Sequence, residues 1–112
     1  MKTIDRDFRL ASLKAEVLKA LSHPTRLFIV EVLSGGEKCV CQLNRLVEAD
    51  HSTISKHLSV LKKAGVVSDR KVGLKVFYRL EAPCIIDFIE CVTKVIESKA
   101  KRDLATLRKK QF

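Results

Sequence analysis

The hydrophobic period of this chain changes twice, and where it changes restricts the fold more than any other feature of the sequence. Up to Gly65, apolar residues recur at i, i+3, i+4 and i+7; from Val66 to Leu80 the pattern is that of strands; after Ala82-Pro83 helical spacing returns. A period near 3.6 buries one face of a helix and a period of 2 one face of a strand. The pattern therefore predicts helices, a hairpin and a final helix.

Phe8, Leu10, Leu13, Val17, Leu18 and Leu21 mark a first amphipathic helix from Asp7 to about Ser22, and they are expected to form a buried stripe. Ser22 is read as the N-cap of a second helix, with Pro24 in its first turn and Gly35-Gly36 after Leu33 as its stop. A short third helix runs from about Cys41 to Ala49 with Leu43, Leu46 and Val47 inward, and Asp50-His51-Ser52 breaks it. Ser52 then caps a fourth helix whose stripe is Ile54, Leu58 and Leu61 and which stops at Ala64-Gly65. Two short helices about a tight polar turn form a helix-turn-helix. Val66–Lys71 and Lys75–Leu80, joined around Val72-Gly73, form a β-hairpin that serves as a wing. The last helix extends from Ala82-Pro83 towards Lys110 with a wide apolar face that includes Phe88, Val92 and Val95. The expected architecture is mainly α with a small β-hairpin: a winged helix-turn-helix of five helices, the hairpin between the fourth and fifth, forming one domain over residues 1–112.

A domain of 112 residues buries a modest share of its surface, so leftover apolar stripes are expected to pack on a partner subunit. The 22 Lys and Arg against 13 Asp and Glu give a formal charge of +9, which favours a polyanionic partner through release of condensed counterions. No stretch approaches the roughly 20 apolar residues that span a bilayer, and the N-terminal residues carry no export signal, so a cytoplasmic location without a membrane partner is expected. No nucleophile with an adjacent base is legible, and Cys39-Val40-Cys41 is not the Cys-x-x-Cys of a thiol reductase, so the sequence predicts neither an enzyme nor a catalytic cofactor.

Opposite the Ile54/Leu58/Leu61 stripe lie Ser52, Lys56, Ser59 and Lys63, flanked by Thr53 and Ser55. Short hydroxyls near a helix N-terminus suit base edges and phosphates, and cations further along suit the backbone of a duplex. On the wing, Arg70, Lys71 and Lys75 lie near the tip with Asp69 the one opposing charge, while Arg79 lies further back.

Three segments carry a family resemblance: Leu21-Ser22-His23-Pro24-Thr25-Arg26-Leu27, Glu37-Lys38-Cys39-Val40-Cys41-Gln42-Leu43, and Ser52-Thr53-Ile54-Ser55-Lys56-His57-Leu58 running on to Val67. In this order, together with the hairpin ending Val76-Phe77-Tyr78-Arg79-Leu80, they resemble the ArsR/SmtB family of bacterial metalloregulatory repressors. The resemblance covers nearly the whole chain. It implies a homodimer built from the first and last helices that binds a palindromic operator in double-stranded DNA and releases it on binding an effector. By position it implies His51, Ser52, Thr53, Ser55 and Lys56 as DNA-reading residues.

The Cys39/Cys41 segment resembles the family's box for arsenic, cadmium and lead. With no export signal, all four cysteines are expected as reduced thiols, and two thiolates suit a soft ion. Residues at i and i+2 point about 200° apart on an ideal helix, so both reach one ion only if the first turn unwinds or Cys39 precedes it. As(III) or Sb(III) is the favoured effector, with Cd(II) or Pb(II) as the alternative. The usual third ligand is absent: Asn44 stands where the arsenic type has a cysteine, and residues 1–38 hold none for the cadmium and lead type. Cys84 or Cys91, a small exogenous thiol, or hydroxide remain candidates. The family's zinc site on the last helix is excluded, because Asp87 has no histidine after His57 to accompany it. A thiol-redox or reactive-sulfur sensor linking one of Cys39 and Cys41 to Cys84 or Cys91 is the rival within the same fold, and a small buried residue at a helix start or a packing stripe is the purely structural alternative for the same cysteines.

Overall fold

The computed structural model of the chain describes residues 2–110, with side chains over residues 5–109. The elements are α1 (Lys2–Leu21), α2 (Pro24–Leu33), β1 (Lys38–Cys39), α3 (Val40–Val47), α4 (His51–Lys63), β2 (Val67–Val72), β3 (Lys75–Leu80) and α5 (Cys84–Lys110). They divide into two compact units, one ending at Ala82 and the other beginning at Pro83.

In the first unit the apolar residues of α2, the helix-turn-helix and the start of the wing come together. Ile29 and Val30 of α2, Leu43 of α3, and Ile54, Leu58 and Leu61 of α4 are buried, and Val66 and Val67 close the core from the start of the wing. The 3.6-residue stripe of α4 thus faces inward as its spacing requires. Gly65 follows α4 at φ 82°, a left-handed conformation that suits a residue without Cβ. At the end of α3 the same turn is made by Glu48, at φ 53°, with no glycine to signal it.

Both expected caps shift by one or two residues. His23, not Ser22, caps α2: Pro24 is the first helical residue, and His23 Nδ1 accepts from the Thr25 N–H at 3.0 Å. Asp50, not Ser52, caps α4: its carboxylate accepts from the Thr53 N–H at 2.7 Å, and the Ser52 hydroxyl donates to it at 3.1 Å. An aspartate three residues before a free N–H is in capping register, and it starts the helix earlier than Ser52 would.

The wing also differs from a simple hairpin. β2 and β3 pair antiparallel from Val67↔Leu80 to Val72↔Lys75 around Gly73-Leu74, and β1 adds a third strand with Lys38↔Tyr78 and Cys39↔Phe77, giving the order β1-β3-β2. A two-residue strand is too short to show alternation, so the sequence did not reveal it.

The first helix does not supply the expected buried stripe. Phe8, Leu10, Leu13 and Leu18 are exposed, and among the described side chains of α1 only Ala20 and Leu21 at its end are buried; Leu46 of α3, expected inward, is exposed too. The second unit is α5, a 27-residue helix with Phe88, Val92, Val95, Ile96, Leu104 and Leu107 exposed. No helix among the described residues is long and apolar enough to cross a membrane.

Candidate functional site

His51, Ser52, Thr53, Ser55, Lys56, Ser59 and Lys63 are all exposed on α4, with the core stripe turned away from them. Ser52, Lys56, Ser59 and Lys63 follow one another at i, i+4, i+7 and i+11 and share a face. Arg70, Lys71 and Lys75 are exposed on the wing. The first unit therefore presents small polar groups at a helix start, cations along the same helix and cations on an adjacent hairpin.

The electrostatics of the wing depart from expectation. Asp69 does not oppose the wing cations; it pairs with Lys62 of α4 at 2.9 Å, and this bond raises the Lys62 pKa. The opposing charge is Glu37, just before β1, whose carboxylate takes both Nη2 (2.7 Å) and Nε (2.9 Å) of Arg70. That hydrogen bond holds the Glu37 carboxyl below its usual range. Arg70 also lies 5.6 Å over the Phe77 ring, while Arg79 is engaged by Glu81 and Ser68.

The back of α4 is anchored to α1 and α2. The rings of His57 and His23 are 4.4 Å apart, Arg26 Nη1 is 3.3 Å from His57 Nδ1, and Arg26 donates to the Ala20 and Lys19 carbonyls at the end of α1. Burial, reinforced by His23 and Arg26, lowers the His57 pKa.

The cysteine pair occupies the junction of wing and helix-turn-helix. Cys39 is at once the last residue of β1, hydrogen-bonded into the sheet beside Phe77, and the N-cap of α3 in extended conformation (φ −78°, ψ 159°). Its sulfur accepts from the Gln42 N–H at 3.4 Å, and Gln42 Oε1 accepts from the Cys39 N–H at 2.9 Å, a reciprocal capping box. Because Cys39 precedes the helix, its side chain escapes the divergence of an ideal i, i+2 pair. Cys39 and Cys41 are joined in a disulfide with a Cα–Cα distance of 5.3 Å, which corrects the expectation of four free thiols; Cys84 and Cys91 are free, exposed and in the second unit. The disulfide is thus not the link from the pair to Cys84 or Cys91 on which the rival redox reading rested. Cys39 is buried and Cys41 exposed, so the two sulfurs meet at the boundary of core and surface. Reduced, they offer two soft donors within reach of one ion, and among the described residues no cluster of three or more Cys, His, Asp or Glu completes a site.

Over this pair opens a cavity of about 360 Å³ lined by Cys39, Val40, Cys41, Asn44, His51, Ser55, Leu74, Lys75, Val76 and Tyr78. Asn44 Nδ2 is 3.1 Å from His51 Nδ1, connecting α3 to the first residue of α4, while Asn44 Oδ1 is buried without a partner. The sequence had drawn attention to Asn44 as the place of a missing cysteine; the roles of Tyr78 and Lys75 in the cavity wall depend on β3 pairing with β1 and were not visible in local patterns.

Residues 23–69 match the family described as "Bacterial regulatory protein, arsR family". The chain is 39% identical over 82 residues to an uncharacterised HTH-type transcriptional regulator of Methanocaldococcus jannaschii, covering 72% of this chain and 92% of that one. It is 42% identical to a cadmium resistance transcriptional regulatory protein homolog of Staphylococcus aureus (68% and 64% covered) and 44% identical to the arsenical resistance operon repressor of Escherichia coli (61% and 59% covered). The fold is similar to the solution structure of a homodimeric winged helix-turn-helix DNA-binding domain from Mycobacterium bovis, with a TM-score of 0.75, 28% identity, and 88% and 91% of the chains covered.

Proposed function

Because the chain belongs to the ArsR family of bacterial regulatory proteins, we propose that this transcriptional repressor binds a palindromic operator as a homodimer and releases it when a soft metal or metalloid is captured by Cys39 and Cys41. Residues 1–112 act as one functional domain in this reading, with the exposed apolar faces of α1 and α5 as dimer surfaces and the cytoplasm as the place of action. Likeness to a homodimeric domain supports the dimer, and likeness to arsenical and cadmium resistance regulators supports the effector class. Arsenite or antimonite is the favoured effector, with cadmium or lead as the alternative.

The observation that carries the reading is the placement of Cys39 in two elements at once. It ends a strand of the wing sheet and caps α3, and α3 packs against α4. An ion held between two sulfurs occupies more room than a bond joining them. Its capture therefore disturbs the Cys39–Gln42 capping box, and α3, α4 and the wing feel the change through direct contacts. A dimer reading two half-sites about 34–36 Å apart tolerates little displacement of either recognition helix. His51, Ser52, Thr53, Ser55, Lys56 and Ser59 are assigned to the major groove and Lys63, Lys71 and Lys75 to the phosphate backbone, which Arg70 joins when Glu37 releases it.

Titration of a fluorescent duplex carrying the palindrome upstream of the protein's own gene tests this, with arsenite and then cadmium added under reducing conditions. Release from the wild type but not from Cys39→Ser/Cys41→Ser is the expected result. Continued binding in the presence of both ions removes the effector assignment. The Cys39–Cys41 disulfide favours a second reading, a redox switch within the pair. Release by peroxide without any ion, abolished by Cys41→Ser, selects it.

A further inference from the structure

We infer that the cavity over Cys39 and Cys41 admits a small anionic thiol, whose sulfur is the third ligand to the captured ion. The inference rests on the reading of these two cysteines as effector ligands. Two observations lead to it. The first is the donor deficit: a three-coordinate soft ion needs one more sulfur than the pair provides, and no group among the described residues completes a set of three. The second is the space beside that deficit. About 360 Å³ lies against the two cysteines, and that is room for a molecule of a few heavy atoms as well as an ion.

The wall of the cavity indicates what kind of thiol. Lys75 supplies a cation, the Tyr78 hydroxyl and Ser55 are polar, and Asn44 is anchored to His51 at 3.1 Å. Among the described residues no carboxylate lines it. A thiol bearing a carboxylate thus meets a complementary charge and the sulfur pair in the wall of one cavity.

The same reagent prepares the site. Two thiols reduce the Cys39–Cys41 disulfide: the first attacks one sulfur to form a mixed disulfide, and the second releases it, leaving two cysteine thiols and one small-molecule disulfide. Arsenite, As(OH)₃, then exchanges its three hydroxides for the two cysteine sulfurs and one exogenous thiol, and the three thiol protons leave with the hydroxides as three waters. No oxidation of arsenic accompanies the exchange.

The test uses full-length protein reduced by a phosphine, which supplies no sulfur, and equilibrium dialysis against radiolabelled mercaptoacetate with and without arsenite. X-ray absorption on the same samples counts the sulfurs around arsenic. The expected result is one mercaptoacetate retained per subunit only when arsenite, Cys39 and Cys41 are all present, with the sulfur count rising from two to three. Lys75→Gln should weaken retention about two- to fivefold, the range of an exposed ion pair. Lys71→Gln, which removes a wing cation outside the cavity wall, should leave it unchanged. Mercaptoethanol, without the carboxylate, should bind less well by a similar factor.

A count of two sulfurs whatever thiol is added overturns the inference and leaves the effector reading intact. So does a count of three in phosphine alone that falls to two in Cys84→Ser/Cys91→Ser, because the protein then supplies the third ligand. Equal retention of the two thiols, or retention insensitive to Lys75→Gln, also overturns it. If arsenic does not bind under any of these conditions, the effector reading fails together with the inference.

Discussion

Glu37 and Arg70 show what a single contact does to a charge pattern. The guanidinium that donates twice to the Glu37 carboxylate is not free to neutralise a phosphate at the same time. Replacing Glu37 by Gln removes the competing charge, so the slope of log K against log salt for operator binding should steepen by about one phosphate contact. Fluorescence anisotropy over a salt series reads this directly; an unchanged slope means Glu37 does not withhold Arg70 from a phosphate. His57 leads to a second expectation. Burial, His23 and Arg26 disfavour its protonated form in the folded state, so the unfolded chain takes up a proton first as the pH falls. Stability should be full above the unfolded pKa of about 6.5 and decline as the pH drops through the lowered folded value. Urea midpoints between about pH 7.5 and 5 would follow that decline, and His57→Gln should flatten it. Arg70 and His57 were visible in the sequence as charged or titratable residues. Their partners were not, because Glu37 lies 33 residues before Arg70, and Arg26 lies 31 before His57.

Among the elements, α4 was the most legible. Its inward stripe has an unambiguous period, and Leu58, fully buried, should cost about 2–5 kcal/mol when cut to Ala, as measured by urea unfolding. Its start was less legible, since Asp50 and Ser52 both belong to the residues that cap helices. The structure distinguishes them: Asp50→Ala should lower the thermal midpoint, whereas Ser52→Ala should leave it near the wild-type value and act on operator binding instead. Circular dichroism melts separate the two, and a larger loss for Ser52→Ala would contradict the observed cap. The strand β1 lay beyond reach of any local pattern. Only its pairing with β3 makes Lys38–Cys39 a strand, and that pairing attaches the cysteine pair to the wing.

For the whole molecule, the determining feature is the apolar surface left uncovered. Phe8 and Leu13 on α1 and Phe88, Val95 and Ile96 on α5 are at least 48% exposed, and on this apolar surface the proposed dimer rests. Phe88→Glu should convert the proposed dimer to monomer in sedimentation velocity and reduce operator affinity, because one half-site alone holds one recognition helix. A Phe88→Glu protein that still sediments as a dimer would place the interface elsewhere. The excess of positive charge belongs to this scale as well: it attracts any duplex, and in the proposed function the small residues on α4 distinguish one.

Periodicity, turn residues and charge, all local or summed properties, were enough to define the helix-turn-helix, the two strands of the hairpin and the basic balance. They suffice because a helix or hairpin stripe is written in residues a few positions apart, and net charge needs no geometry at all. The tertiary structure alone decided that Cys39 closes a strand while capping a helix, that its sulfur meets that of Cys41, that Glu37 occupies Arg70, and that a cavity opens over the pair. The strand, the Glu37–Arg70 pair and the cavity depend on contacts between segments far apart in the chain, where the register of one strand against another determines which side chains meet; the Cys39–Cys41 contact is local and follows from Cys39 preceding the helix instead of lying within it.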